Sequence, residues 1–507
     1  MNKFKQKLTA YFKSNGFFAT LLTVLAVTAV VFVNVIIYTL ANQFGWVYTK
    51  QGDTDFSISS SGEALFADAI EKGLRVEVIF CMYEDDVKEH ETGSFVYRTA
   101  KEFEKKYPDF ITLSYINAIT MLDSEGEPVD LSVYQKDMRG KETSINKTSI
   151  IFRSESSYYV LTDDYTGVGF ADFYTLDSSA SITSYEGEEV FASMISWVLR
   201  DDHGTAYLTT GHGETANVSL RYALIRAGYY CDAIKDVINL RAGEVPEDAD
   251  LVIISNPKTD FERAADGSSL RSEIERLRGF ADRGGHFMVF LDPETKKLPV
   301  LESFIAEFGI SIRDNGEGER LMVKDSTNAI TTDGFTLVAD YNEESDVAAL
   351  MQDKIKDLGG RVIVRSVAPL SLTGSAKAIL LSSPSAVAEA GGKTVDNAGS
   401  YPIAAYSTKD NGLREDAKMF FVPSVYLTAT DAMITNGYSN KDFLYSLFDV
   451  YFEKGAMPYG CNSLIFDSGI LENLTMGTAR WFTAALIAIP VCIGIAGAIV
   501  IVRRKNR

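Results

Sequence analysis

The residues best suited to chemistry are Gly211-His212-Gly213-Glu214. They directly follow residues 205–210, a run whose composition predicts a strand. Ligands of doubly wound α/β folds bind at the carboxyl ends of such strands. A histidine beside a carboxylate is suited to acid–base work or to metal binding. The same four residues also make a tight turn whose glycines meet a backbone need, so both interpretations stay open.

Two further turns follow predicted strands. Asn256-Pro257-Lys258-Thr259-Asp260 comes after the apolar run 251–255, and Leu291-Asp292-Pro293 ends the run 286–291. The first turn can offer backbone N–H groups to an anion, although such a sequence is also typical of a plain turn with a helix start. We therefore predict a ligand-binding role, and no catalytic role, for seven residues: Gly211, His212, Gly213, Glu214, Asn256, Lys258 and Asp292.

Several catalytic motifs are missing from the sequence. There is no Gly-x-Ser/Cys-x-Gly nucleophile elbow, no complete dinucleotide-binding loop and no phosphate-binding P-loop. The chain has only 4 histidines, which are few for a metal site built from several histidine ligands. We expect no ATPase site, no metal and no cofactor.

The elements that must position these residues form two regions. In residues 46–200, a strand at 74–83, a helix with apolar residues at Phe95, Ala100, Phe103 and Tyr107, a strand at 111–117, a hairpin at 148–161 and a helix at 187–199 predict a β-α-β domain. In residues 204–455, strands alternate with helices, which predicts a doubly wound parallel sheet with helices on both faces. Strands at 378–383, 402–406 and 418–424 are expected to extend that sheet.

Both ends of the chain carry long uncharged stretches, residues 17–44 and 481–502. About 20 apolar residues suffice to cross a bilayer as a helix, so we predict two transmembrane helices. A cleaved signal peptide is the rival interpretation of the first stretch, but its apolar core spans only about 7–15 residues. Cations flank both stretches, which predicts cytoplasmic basic tails at 1–16 and 503–507, a linker at 456–480, and an extracytoplasmic middle held in the cell membrane.

Composition narrows the partners. The formal net charge is −20 at pH 7, which argues against binding nucleic acid or anionic lipid headgroups. Of the four cysteines, Cys492 lies in the second apolar stretch, and Cys81, Cys231 and Cys461 are far apart in sequence. This spacing is neither a disulfide framework nor a Cys-x-x-Cys metal site, so one bridge or three free thiols both remain possible.

The combination of these segments resembles the GldG-like family, auxiliary proteins of a class of ABC transporters named for gliding motility. The resemblance rests on LRVEVIF at 74–80, FEKKYPDFITLSYIN at 103–117, TTGHGE at 209–214, LVIISNPKTDF at 251–261, GGHFMVFLDPE at 284–294 and the two apolar ends. It implies a glutamine-amidotransferase-like domain without its catalytic cysteine, since residues 291–293 hold none at the elbow position. It also implies a permease and a separate cytoplasmic ATPase as partners. Residues 418–452 depart from the family pattern.

Three functions follow as hypotheses. The first is a membrane-anchored, non-enzymatic subunit of an ABC transporter complex that binds substrate or braces the assembly. The second is a cell-envelope hydrolase or amidase that uses His212 and Glu214. The third is a structural envelope scaffold without a small-molecule site.

Overall fold

The computed structural model describes residues 56–162, 168–176, 182–215, 218–262, 271–412, 415–435 and 437–466. Residues 56–465 belong to one compact unit. Within it, a smaller sheet is built from residues before 165 and a larger sheet from residues after 200. The predicted division at about residue 200 lies between these two sheets.

The amino-terminal part alternates strands with helices. Its helices are α1 (Ser60–Ala64), α2 (Ala67–Glu71), α3 (Glu84–Glu89), α4 (Gly93–Lys106) and α5 (Gly187–Leu199). Its strands are β1 (Val76–Phe80), β2 (Ile111–Asn117), β3 (Leu122–Asp123), β4 (Ile150–Arg153), β5 (Tyr158–Leu161), β6 (Tyr174–Leu176) and β7 (Ile182–Tyr185). Short 3₁₀ turns occupy Ser132–Gln135 and Ala171–Phe173.

The first sheet has the order β3-β2-β1-β4-β5. β1 is parallel to β2 across helix α4 and antiparallel to β4, which forms a hairpin with β5. The apolar residues of α4 recur at helical spacing, so Val96, Ala100 and Phe103 are buried on one face. Helix α5 is buried from Gly187 to Val198, and the helix predicted at 187–199 is confirmed.

The carboxyl-terminal part contains the remaining elements. Its strands are β8 (Gly204–Thr210), β9 (Tyr229–Tyr230), β10 (Val237–Asn239), β11 (Leu251–Ser255), β12 (His286–Phe290), β13 (Ile310–Ile312), β14 (Met322–Lys324), β15 (Thr336–Val338), β16 (Asp340–Tyr341), β17 (Ile363–Arg365), β18 (Leu370–Leu372), β19 (Lys377–Leu381), β20 (Val387–Ala390), β21 (Lys393–Asp396), β22 (Pro402–Lys409), β23 (Ala417–Val422) and β24 (Leu464–Ile465). Its helices are α6 (Val218–Arg226), α7 (Glu273–Ala281), α8 (Pro299–Ala306), α9 (Asp346–Ile355), α10 (Thr430–Ile434) and α11 (Asn440–Ser446), with short turns at Lys356–Leu358 and Val425–Thr428 and a π turn at Leu447–Tyr451.

The larger sheet has nine strands in the order β10-β8-β11-β12-β23-β22-β19-β16, with β9 paired to β8. In the part of the sheet that runs β10-β8-β11-β12-β23, neighbouring strands are parallel, as the strand–helix alternation predicts. The strands predicted at 378–383 and 402–406 do extend this sheet, but β22, β19 and β16 run antiparallel to their neighbours. The sheet is therefore mixed, because a short connection replaces a crossover helix between β22 and β23.

Helices cover both faces of the larger sheet. On one face, Phe287 and Val289 of β12 pack with Leu277 of α7 and Phe304 of α8 in a large apolar core. On the other face, Phe420 of β23 lies 6.0 Å from Phe443 of α11. Smaller sheets pair β13 with β18, β15 with β17, β20 with β14 and β21, and β7 with β6 and β24.

The membrane part of the sequence interpretation needs correction. In the part of the chain that the structure describes, no helix is both long and apolar enough to cross a bilayer. The longest described helix, α4, has 14 residues and spans about 21 Å, short of a hydrocarbon core of about 30 Å. The segments 17–44 and 481–502 lie outside the described residues. The fold class is thus corrected to a mixed α/β fold with several sheets, and the two-pass topology, membrane localisation and membrane and transport descriptors are not retained.

The cysteine alternatives are resolved within the described residues. Cys81, Cys231 and Cys461 are all free, and the first two are buried. Burial raises the pKa of the Cys81 thiol to about 12. Burial likewise raises the pKa of the Cys231 thiol to about 12. Such thiols remain protonated at neutral pH and are poor nucleophiles.

Candidate functional site

The turn after β8 has the backbone conformation that its glycines predict. Gly211 has φ 108° and Gly213 has φ 78°, a region that disfavours residues with a side chain. A Cβ atom at Gly213 would also lie 3.2 Å from Cβ of Lys258. The glycines therefore allow the turn to pack closely on the neighbouring turn after β11.

His212 is fully enclosed at this turn. Its Nδ1 lies 3.2 Å from Oε1 of Glu214 and its Nε2 lies 3.1 Å from Oε2 of Glu273. Its backbone N–H donates to Oε2 of Glu214 at 2.7 Å, and its ring stacks on Phe261 at 4.1 Å. Only 1% of the residue is exposed, so no ring nitrogen is left to meet a substrate.

The pKa values of this cluster reflect its closed geometry. Burial works against a charged His212, but the hydrogen bonds that its ring donates to Glu214 and Glu273, together with the negative charges of these carboxylates, outweigh it and raise the pKa of the imidazole. Burial works against a charged Glu214, but the bonds to His212 outweigh it and lower the pKa of that carboxyl. The imidazole therefore lies between two carboxylates that favour its charged form, and this ionic contact stabilises the turn.

Two members of this cluster escaped the sequence interpretation. Glu273 is the first residue of α7, whose N-cap Ser272 and Glu275 form a capping box. That motif marks the helix start, and it was the available signal for a carboxylate near the sheet edge. Phe261 follows the predicted turn directly, but an apolar residue at that position predicts a core side chain rather than one that stacks on His212.

Lys258, Asn256 and Asp292 form the exposed rim of the same edge. Lys258 Nζ donates to Oδ1 of Asn256 at 2.6 Å and lies 3.4 Å from Oδ2 of Asp292. Asn256 has φ 56°, and its amide donates to the hydroxyl of Thr215 at 3.2 Å. The structure thus brings all seven predicted residues together at the carboxyl ends of β8, β11 and β12.

The backbone N–H groups proposed for an anion at this edge are already engaged. Those of Lys258 and Thr259 donate to the carbonyl oxygen of His212 at 2.7 and 3.0 Å. Among the described residues, no group of three histidine, cysteine or acidic side chains is arranged to hold a metal ion. The edge is therefore a braced turn with a small polar rim.

A cavity of about 390 Å³ lies away from this edge, between the amino-terminal part and helix α6. Its lining comes from β5, α6, the loop 137–144 and the segment after β9, and it includes Tyr159, Arg221, Tyr222, Tyr230 and Cys231. These residues are up to about a hundred positions apart in the chain. Sequence patterns along a single element gave no signal for this cavity.

A buried ionic cluster fixes one wall of the cavity. The side chain of Asp236 is fully buried and accepts hydrogen bonds from Nη1 of Arg139 at 2.9 Å and from Nζ of Lys141 at 2.7 Å. The Arg139 guanidinium also lies 4.0 Å above the ring of Tyr230. Burial works against a charged Asp236, but the two cations outweigh it and lower its pKa. The loop 137–144 is thereby held to the carboxyl-terminal part.

A second buried ionic cluster is centred on Arg226, which also lies on the cavity lining. Nη1 of Arg226, at the end of α6, donates to Glu186 and Glu189 at 2.7 Å each. Lys441 Nζ donates to Oε2 of Glu189 at 2.5 Å, and the Tyr445 hydroxyl donates to Oε1 at 2.6 Å. Helices α5, α6 and α11 are therefore joined through buried charges.

Two polar side chains on the cavity lining, Arg221 and Tyr159, have no such partners within the residues that the structure describes. Among the described residues, no ion pair or hydrogen bond involves the Arg221 guanidinium, which lies 4.8 Å from the ring centre of Tyr222. The Tyr159 hydroxyl likewise has no hydrogen-bond partner in this part of the chain, while its ring packs on Trp197 at 4.7 Å. Unpaired polar groups beside an internal space are typical of a binding site.

Comparison with known proteins adds little to these observations. No family model and no curated protein matches the chain. Among solved structures, the N-terminal domain of mmIFT52 is similar over 50% of this chain and 99% of its own, with 16% identity and a TM-score of 0.35. PurLQS from Thermotoga maritima (49% and 99% covered, 12% identity, TM-score 0.28) and a thua-like protein from Bacteroides uniformis (50% and 94%, 13%, 0.30) are also similar. At such scores these likenesses carry no argument about function.

Proposed function

We propose that this chain is a non-enzymatic binding subunit whose site is the cavity between the amino-terminal part and α6. The observation that carries the proposal is a space of about 390 Å³ lined by aromatic side chains and by Arg221 and Tyr159, whose polar groups have no hydrogen bond or ion pair within the described part of the chain. Ligand sites commonly combine an enclosed volume of this order, an aromatic lining and a few convergent polar groups. Of the two roles considered for a non-enzymatic subunit, the proposal therefore selects substrate binding rather than bracing of an assembly.

The hydrolase hypothesis has little support at the β8 edge. A general base must come within hydrogen-bond reach of the proton that it removes. Both ring nitrogens of His212 are occupied by carboxylates, and Phe261 covers one face of the ring. Acid–base chemistry at His212 would require this closed turn to open.

The partners implied by the GldG-like resemblance, a permease and a separate ATPase, stay a prediction. The corresponding measurement is co-purification of the full-length protein from its native cells, followed by mass spectrometry. Recovery of both subunits in fixed ratio would support the partnership, and recovery of neither would remove it.

The binding proposal is tested by filling the cavity. Thr143 lies on the exposed loop that lines it, and Thr143→Trp should narrow the space without disturbing the core. A small-molecule panel is screened against the full-length protein by ligand-observed NMR. Binders of the wild type should be lost in Thr143→Trp and kept in Thr120→Trp, a matched change on an exposed turn. A panel without binders, or binders indifferent to Thr143→Trp, would refute the proposal.

A further inference from the structure

The cavity has a chemical preference that its charges define. Most charged groups on its lining already have partners: Arg139 and Asp236 pair with each other, Arg226 pairs with Glu186 and Glu189, and Lys235 lies 3.5 Å from Asp232. Arg221 is a cation on this lining without an ion pair among the described residues. An incoming anionic group would therefore meet a guanidinium that feels the charge of Asp172 but has no direct ion pair with a carboxylate among the described residues.

The environment of Arg221 restricts the charge of that anionic group. Carboxylates outnumber cations along the lining, with Asp172 and Asp232 among them. A dianion such as phosphate would be repelled by these acids, whereas a single negative charge can be neutralised by Arg221 alone. A guanidinium also matches the planar, two-oxygen geometry of a carboxylate.

Aromatic side chains define the rest of the ligand. Tyr159 and Tyr222 lie on the lining near Arg221, and Ile225 follows one helical turn later on α6. These side chains offer apolar surface to the body of a ligand. The Tyr159 hydroxyl, which has no partner in the described part of the chain, can donate a second hydrogen bond.

We infer that the cavity binds a small monocarboxylate with an apolar or aromatic body, and that Arg221 holds its carboxylate. This inference rests on the proposed function, because it names the ligand class of the same site. Arg221 is a specificity-determining residue here, because it selects a ligand with a negative charge. Tyr159 and Tyr222 select the shape of the ligand's apolar body.

The test compares charged and neutral probes by isothermal titration calorimetry on the full-length protein. The probes are benzoate and phenylacetate, their neutral amides, and inorganic phosphate. At least one carboxylate should bind 10-fold or more tightly than its amide and than phosphate. A hydrogen bond to a charged group contributes about 1.5–3 kcal/mol, so Arg221→Gln should weaken carboxylate binding by about 10- to 100-fold.

Matched variants separate this inference from general effects. Arg221→Gln should leave amide binding unchanged, and Arg221→Lys should retain part of the carboxylate preference. Arg271→Gln, at an exposed arginine that pairs with Glu244, should change neither carboxylate binding nor amide binding. A second readout is the fluorescence of Trp197, whose ring contacts Tyr159, measured in a Trp46→Phe, Trp481→Phe background.

The outcomes distinguish two failures. Equal binding of carboxylate and amide, sensitive to Thr143→Trp but not to Arg221→Gln, would overturn the carboxylate inference and leave a binding cavity in place. Absence of binding by every probe would overturn the inference. Absence of binders in the wider small-molecule panel as well would remove the proposed function.

Discussion

Glu189→Gln is expected to destabilise the protein by about 3 kcal/mol. Glu189 is 2% exposed and accepts hydrogen bonds from Arg226, Lys441 and Tyr445 at 2.5–2.7 Å. Removing one partner of a buried ionic group costs about 3–5 kcal/mol. Glu186 stays within 2.7 Å of Arg226 and 3.4 Å of Lys441, so part of the countercharge remains and the lower end of that range applies.

Urea unfolding followed by circular dichroism measures this change. The transition midpoint should fall while the slope of free energy against urea stays constant. Glu102→Gln is the matched control, since the Glu102 side chain is exposed and, among the described residues, forms its ion pair with Lys105, a contact worth at most about 1 kcal/mol. Adding Lys441→Met to Glu189→Gln should recover part of the loss, because it removes the cation left short of countercharge. A loss below about 1 kcal/mol at constant slope would show that the cluster does not join these helices.

Three further predictions concern other parts of the molecule. Because the pKa of His212 is raised in the folded protein, its contact with Glu214 and Glu273 stabilises the fold fully below about pH 6.5 and less as the pH rises through the folded pKa. In urea unfolding, His212→Gln should therefore destabilise the protein more at pH 6 than at pH 8.5. An equal loss of stability at both pH values would contradict this prediction. Gly213→Ala should cost about 1–2 kcal/mol by the same assay, because of its positive φ and the nearby Lys258, and an unchanged midpoint would show that the turn adapts. Cys81 and Cys231 should resist alkylation by iodoacetamide at pH 7.5 until urea unfolds the protein, as peptide mass spectrometry would show; rapid labelling of the native protein would disprove their burial.

Local patterns predicted the elements that position the β8 edge. The apolar runs before Gly211, Asn256 and Asp292 become three neighbouring parallel strands, so their carboxyl ends meet. Side-chain periodicity and turn residues suffice for this inference, because each concerns one short stretch of chain. The seven predicted residues therefore lie together. Their closed hydrogen bonding was not predictable, since it depends on Glu273, which is 61 positions away from His212.

Features built from distant residues escaped prediction for the same reason. Tyr159 and Arg221 share a cavity only because α6 packs beside the hairpin strand β5. The antiparallel pairing of β22, β19 and β16 in the larger sheet depends on strand order, which periodicity does not encode. Strand β9 comprises Tyr229–Tyr230, and the chain after it turns so that Asp236 meets Arg139, a residue that precedes it by almost a hundred positions.

The two ionic clusters give the cavity its walls before any ligand arrives. Arg226 anchors the end of α6 to α5 and α11, and Arg221 lies five residues earlier on the same helix. Asp236 holds the facing loop through Arg139 and Lys141. If the cavity binds a ligand as proposed, fixed walls reduce the free energy that is lost to ordering the protein, so affinity at Arg221 should also depend on these two clusters. With the charges of both clusters already paired, Arg221 is the cation on the cavity lining that has no ion pair among the described residues.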